Sequence, residues 1–191
     1  MSELLTRLEV EDLKENLREV QELLQHHALA ERQVSHQEMP LHALVEQRVH
    51  KQHLGELRAK LENLHPADVA YILEALPLEE RLVVWELVKA DRDGEILLEV
   101  SDAVRESLIA SMDSDELVAA AETLEADELA DLAADLPAEV IQEVVQSLPA
   151  EERERLRSAL SYPEGTVGAL MDFEMVTVRE DVNIEAVTGY L

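Results

Sequence analysis

An apolar residue recurs every twelve positions between residues 64 and 160 of the chain. The members of this first series are Leu64, Leu76, Val88, Val100, Met112, Leu124, Leu136, Leu148 and Leu160. A second apolar series, eight residues later in each unit, consists of Ile72, Val84, Ile96, Leu108, Ala120, Leu132, Val144 and Leu156. Twelve residues leave a continuous α-helix about 120° out of phase, so one long helix would bury neither series. The period therefore predicts one short helix per unit, ended by a tight turn.

Proline and capping residues lie where the turns between these short helices are expected. Pro66 lies two residues after the first member of the series, and proline is tolerated in a first helical turn because its missing N–H has no partner there. Five residues share the position directly after a series member, namely Pro77, Pro137 and Pro149, and the predicted N-caps Ser101 and Asp113. Short helices at a fixed period that cannot bury their faces alone predict an all-α fold, a right-handed superhelix or solenoid.

The chain divides into four segments that differ in their pattern of apolar, polar and turn-forming residues. Residues 1–62 carry apolar residues at helical spacing on both sides of a break at residues 35–40, which predicts two N-terminal helices, either a hairpin on the solenoid or a partner-binding arm. Residues 63–160 form the predicted superhelix. Residues 161–172 contain two glycines and a proline, which is typical of a linker. Residues 173–191 predict a strand followed by a capped helix, the incomplete beginning of another domain.

Composition limits the class of protein. The chain has 47% apolar but only 3% aromatic residues, and it has no cysteine, which excludes disulfides and thiolate metal sites. The apolar runs are far shorter than the ~20 residues that span a bilayer, so we expect no direct membrane insertion by these residues. The amino terminus is too charged for a signal peptide. The sequence therefore predicts a soluble, intracellular polypeptide.

The formal net charge is −27, which argues against binding to nucleic acid or to anionic membranes. From Glu106 to Glu152 there are fourteen carboxylates and no lysine or arginine. Two interpretations remain open. The carboxylates form a solvated face that keeps the protein soluble, or they form a surface whose repulsion is relieved by cations or by a basic partner.

Two sets of carboxylates occupy equivalent positions three units apart. They are Asp91, Glu95 and Glu99, and Asp127, Asp131 and Asp135. Residues four apart share a helix face, where like charges destabilise the helix, and Arg92 is the one cation between members of either set. Mg²⁺ prefers oxygen ligands and keeps several waters. Carboxylates facing a second acidic surface are therefore predicted to form weak, hydrated Mg²⁺ sites; the alternative is a negative potential without a fixed ion.

The histidines and the absence of catalytic motifs narrow the function further. The seven histidines are His26, His27, His36, His42, His50, His53 and His65. No pair has the spacing of a zinc-protease helix, and the pair His50 and His53 has no third ligand nearby in sequence, which favours surface histidines over a transition-metal site. The chain has no phosphate-binding loop, no dinucleotide-binding glycines, no calcium-binding EF-hand spacing and no nucleophile beside a base. We expect a protein that is not an enzyme.

Two stretches resemble the cytosolic part of MgtE-type magnesium transporters. They are LHPADVAYILEALPLEERLVVWELV, which begins at Leu64, and the junction SYPEGTVGALMDFEMVTV, which begins at Ser161. Together with the twelve-residue units, they follow the order of that family. The resemblance implies a superhelical N domain followed by a pair of CBS modules, a connecting helix and a transmembrane pore. It also implies a homodimer at the cytoplasmic face of the inner membrane, with residues 173–191 opening the first CBS module.

The resemblance also implies a function. In that family Mg²⁺ binds at acidic interfaces between the N domain, the CBS modules and the pore and favours the closed state, and low Mg²⁺ releases the N domain. The family's acidic positions fall on Glu95 in GEILLEV and on Asp127 and Asp131 in ADELADL. Asp91, Glu99 and Asp135 are weaker candidates. An alternative is an acidic helical-repeat scaffold that binds a basic partner, which predicts a salt-sensitive complex that Mg²⁺ does not alter.

Overall fold

Ten α-helices and no strand occur in residues 6–34, 40–162 and 166–171, which are the residues that the computed structural model describes. Two long helices come first, α1 (Val10–Val34) and α2 (Pro40–Glu62). Eight short helices follow: α3 (Pro66–Ala75), α4 (Leu78–Trp85), α5 (Asp93–Glu99), α6 (Asp102–Ile109), α7 (Ser114–Ala121), α8 (Ala126–Leu132), α9 (Ala138–Ser147) and α10 (Ala150–Leu160). The all-α prediction is confirmed for these residues. The predicted strand and helix of residues 173–191 lie outside them, and the right-handed superhelix stays a prediction.

Each twelve-residue unit contributes one short helix, and the second apolar series is buried in the core. All eight members of that series, from Ile72 to Leu156, have at most 1% of their surface exposed. The first series lies at the turns between helices and is less uniformly covered, with Leu160 at its end 45% exposed. Of the two predicted N-caps, Ser101 precedes α6 without a capping hydrogen bond from its side chain, and Asp113 caps α7. Asp113 begins α7 with a capping box, in which its side chain and that of Glu116 each accept a backbone N–H of the other residue.

Alternate helices pack on one another. Helix α3 packs on α5, α5 on α7 and α7 on α9, and on the other side α4 packs on α6 and α8 on α10. Helices two units apart therefore occupy the same side of the stack. The sequence repeats every twelve residues, but the unit that repeats in space is a pair of helices.

Arginine side chains bind the ends of three helices in this stack. Arg81, in α4, donates from Nε to the carbonyl of Leu73 (2.9 Å) and from Nη2 to that of Leu76 (3.0 Å). Equivalent bonds join Arg105 to the carbonyls of Leu97 (2.7 Å) and Val100 (3.2 Å), and Arg153 to that of Leu148 (2.9 Å). The last carbonyls of a helix have no partner within it and carry partial negative charge. Each arginine therefore satisfies the end of the helix that precedes its own.

The long helices α1 and α2 pack against each other, and α1 also contacts α3. Lys60 of α2 donates to Glu19 of α1, and this ammonium holds the pKa of the exposed Glu19 carboxyl below its usual value. The segment before α1 is attached to the stack as well. The N–H of Leu8 donates to Oδ2 of Asp68 (3.1 Å), whose side chain is buried in the first turn of α3. The pair α1–α2 therefore lies at the start of the stack.

Gly94 is expected to tolerate no side chain, because a Cβ there would lie 2.5 Å from the carbonyl oxygen of Ala120 and 2.8 Å from Oγ1 of Thr123. We predict that Gly94→Ala lowers the free energy of unfolding by about 1–3 kcal/mol, the usual cost of overpacking. Urea unfolding followed by circular dichroism measures this change. Gly55→Ala is the matched control, because no atom of the described residues lies within 4 Å of its added Cβ. It should stabilise α2 by about 0.5–1 kcal/mol, and equal effects of the two substitutions would contradict the close approach of α5 to α7.

Candidate functional site

The three principal candidate residues lie on two helices that contact each other. Glu95 is on α5, Asp127 and Asp131 are on α8, and these helices pack together. Glu95 and Asp131 are exposed, and Asp127 is half-buried in the first turn of α8. Asp127 and Asp131 are four residues apart and share a helix face. The fold thus brings carboxylates that are more than thirty residues apart in sequence onto neighbouring helices.

The weaker candidates are placed differently from the two helical sets that the spacing suggested. Asp91 lies in a short 3-10 turn, Ala90–Arg92, before α5 begins, and Asp135 lies in the turn after α8. Only Glu95 with Glu99, and Asp127 with Asp131, share one helix each. Each set is therefore shortened from three carboxylates on one helix to two, because α5 begins after Asp91 and α8 ends before Asp135.

Two of the weaker candidates are paired with arginines. Both carboxylate oxygens of Glu99 accept from Nη2 of Arg7 at 2.7 Å. Oδ2 of Asp135 accepts from Nη1 of Arg105 at 2.7 Å, and the Arg105 side chain is only 15% exposed. Spacing within the carboxylate sets gives no indication of either pair. Arg105 lies one residue before the stretch without cations, and its recurrence 24 residues after Arg81 is the only sequence feature that marks it.

Glu95, Asp127, Asp131 and Asp91 have no hydrogen bond or ion pair with another side chain in the described part of the chain. In the same residues no three histidine or acidic side chains converge closely enough to hold a metal ion. An ion at Glu95 or at Asp127 and Asp131 would therefore draw its further oxygen ligands from water or from another surface, as Mg²⁺ commonly does.

Asp93 is an acidic residue that the sequence reasoning missed. The same position two units earlier holds Val69, two units later Leu117 and four units later Ile141, all of them apolar. The Oδ1 atom of Asp93 is buried and finds no hydrogen-bond partner in the part of the chain that the structure describes. Burial, followed by the charges of Glu116 and Asp91, raises the pKa of the Asp93 carboxyl to about 7. A carboxyl thus occupies a position that is apolar in the equivalent helices.

A small cavity of about 180 Å³ adjoins Asp93. Its walls include Trp85, Met112 and the acidic side chains of Glu86 and Glu116. The apolar walls raise the free energy of ionising Asp93, because a buried charge loses its hydration, and the nearby carboxylates raise it further by repulsion. In the sequence, Asp93 stands out only when it is compared with the residues at the same position in every second unit.

We predict that Asp93→Asn changes how stability depends on pH. Between about pH 4 and pH 7 the folded chain holds a proton on Asp93 that the unfolded chain, with a usual pKa of 3.8, has lost. The proton on Asp93 therefore adds to the free energy of unfolding most at about pH 4, and this stabilisation is lost as the pH rises through 7. The variant should remove that slope and be more stable than the parent above pH 7 by about 1–2 kcal/mol, a value reduced for the partial exposure of the carboxyl.

Urea unfolding of both proteins across this pH range measures the difference. Glu95→Gln is the control, because it removes one exposed carboxylate from the same helix. An identical pH dependence for Asp93→Asn and for the parent chain would show that the Asp93 carboxyl is ionised at neutral pH.

None of the described helices combines the length and the apolar character needed to cross a bilayer. The chain matches no curated protein sequence. It is similar in structure to a solved protein described as the soluble part of a magnesium transporter, with 16% sequence identity and a TM-score of 0.50. That match covers 78% of this chain and 53% of the other, so the chain spans about half the length of that structure, and the likeness concerns the fold alone. Residues 64–165, more than half of the chain, match the family described as the MgtE intracellular N domain, and the chain belongs to that family.

Proposed function

We propose that this chain is the cytosolic, Mg²⁺-sensing regulatory part of a homodimeric MgtE-type magnesium transporter. Membership of the intracellular N-domain family supports a regulatory domain. The observation that carries the Mg²⁺ proposal is the position of Glu95, Asp127 and Asp131 on contacting helices, where no cation of the described residues pairs with them.

Electrostatic repulsion is the proposed basis of sensing. Two unit charges 4 Å apart interact by about 1 kcal/mol in water and by about 4 kcal/mol at the effective dielectric constant of a protein surface. Two acidic surfaces brought together without cations are therefore pushed apart. A hydrated Mg²⁺ between them reverses the sign of the interaction, because it attracts both surfaces and retains water as its remaining ligands. High Mg²⁺ then favours the docked, closed state, and low Mg²⁺ releases the N domain.

The helical stack gives this charge a fixed position. Ile96 in α5, and Leu129 and Leu132 in α8, are at most 1% exposed, so the helices that carry the candidate carboxylates are anchored in the core. An interface charge acts on a partner only if its position is set, since a mobile side chain on a mobile element would avoid the repulsion. Glu99 and Asp135 rank lower as ligands, because Arg7 and Arg105 already compensate their charges.

The partners in this proposal are other parts of the same full-length protein. They are the CBS modules, of which residues 173–191 would form the beginning, the transmembrane pore, and the second copy in the dimer. The N domain would then lie at the cytoplasmic face of the membrane that holds the pore. The net charge of −27 fits a cation-dependent interface and opposes binding to nucleic acid.

We predict that the triple variant Glu95→Gln, Asp127→Asn, Asp131→Asn weakens the response of the chain to Mg²⁺. In the parent chain, Mg²⁺ titration should shift the backbone amide resonances of α5 and α8, with an affinity on the order of millimolar because only a few ligands come from this chain. Heteronuclear NMR measures these shifts. In the triple variant the shifts in α5 and α8 should fall to the level of the other helices.

The control is the charge-matched triple variant Glu79→Gln, Glu106→Gln, Glu152→Gln, whose three exposed carboxylates lie on α4, α6 and α10. It loses the same charge and should keep the α5 and α8 response. Equal responses in the two triple variants would overturn the assignment of these residues. A salt-sensitive complex with a basic protein, unaffected by Mg²⁺, would instead support the scaffold alternative.

A further inference from the structure

The fold brings two histidines from different helices together. The ring centroids of His26, in α1, and His53, in α2, lie 5.6 Å apart, and the planes are tilted by 48°. His26 is exposed, as expected for a surface histidine, and His53 is half-buried. No spacing in the sequence predicts this pair, because it joins residues that are 27 positions apart in the chain.

The packing of α1 on α2 fixes the pair. Glu19 and Lys60, which are bonded across the same two helices, are each seven residues from one of the histidines, and in opposite directions along the chain. Seven residues are close to two helical turns, so both contacts belong to one antiparallel register and to one face of each helix. The side chains buried beside this register are Val20, Leu24, Leu57 and Leu61.

The spacing of the rings suits a shared metal ion. A zinc–nitrogen bond of about 2.0–2.1 Å, added to the distance of about 1 Å from a ring nitrogen to the ring centre, places two rings on one tetrahedral ion about 5–6 Å apart. In addition, Nδ1 of His53 is buried and has no hydrogen-bond partner among the described residues. Buried polar atoms are seldom left unsatisfied, and an ion or a water is the usual partner where the protein offers none.

We propose that His26 and His53 bind a divalent transition-metal ion of the Zn²⁺ class between α1 and α2, with water completing its coordination. Imidazole nitrogen favours Zn²⁺, Cu²⁺ and Ni²⁺, whereas Mg²⁺ prefers oxygen, so the site is distinct from the acidic surface on α5 and α8. The bound ion joins the two helices and stabilises their packing in proportion to its occupancy. The ligands bind as neutral rings, so acid releases the ion.

The test is a Zn²⁺ titration of the whole chain in excess Mg²⁺, which occupies the carboxylates that would otherwise bind Zn²⁺ weakly. Calorimetry gives the affinity, and the histidine ring resonances report which rings bind. We expect His26→Gln and His53→Gln each to weaken binding by at least about tenfold and to abolish the Zn²⁺-dependent rise in Tm. The control is His65→Asn, which keeps an N-cap acceptor at the start of α3 and should bind Zn²⁺ as the parent does.

His26→Gln is the deciding variant, since its exposed side chain is not needed for folding. Unchanged Zn²⁺ affinity in His26→Gln would overturn the proposal, even if His53→Gln fails to fold. So would a loss of affinity confined to His27→Gln or His50→Gln, because it would assign the ion to other histidines. Failure of the parent chain to bind Zn²⁺ would overturn it directly and leave the Mg²⁺ proposal untouched.

Discussion

The burial of one side chain in every short helix is the constraint on which the rest of the structure depends. Helices of seven to eleven residues are too short to be stable in water by themselves. The eight members of the second apolar series, which begins at Ile72 and ends at Leu156, are all buried. Burying one leucine or isoleucine side chain fully contributes about 1.5–3 kcal/mol to the stability of the fold. Every helix therefore exists because its neighbours exist, and the positions of its surface charges are set by the same contacts.

Several of the few cations in this acidic chain bind backbone carbonyls at the ends of helices. The chain has 16 lysines and arginines against 43 acidic residues. Arg81, Arg105 and Arg153 bind carbonyls at helix ends, and Arg92 donates to the carbonyl of Leu61 (2.9 Å) and to that of Leu64. In the described part of the chain, Glu95 of α5 and Asp127 and Asp131 of α8 have no arginine or lysine paired with them. Helix capping and surface potential are thus linked through one residue type.

The period and the order of segments made the helices predictable, because a twelve-residue recurrence of apolar residues has few other structural solutions. Contacts between distant segments were not predictable in the same way. Nothing near Glu99 in sequence indicates that Arg7 pairs with it, and the meeting of His26 with His53 depends on the register of two long helices. Asp93 lies between these two cases in how far the sequence predicts it. Its apolar counterparts two units away reveal it, but only once the pairing of helices in space is known.

The stacking of alternate helices also restricts how such a chain can change in length. Removing or adding one twelve-residue unit would transfer every later helix to the opposite side of the stack, since α8 packs with α10 and α7 with α9. A change of one unit between α5 and α8 would also move Asp127 to the other side relative to Glu95. Gain or loss of a whole pair of helices preserves both relations. Evolutionary changes in the length of this domain are therefore expected in steps of 24 residues, twice the period that the sequence displays.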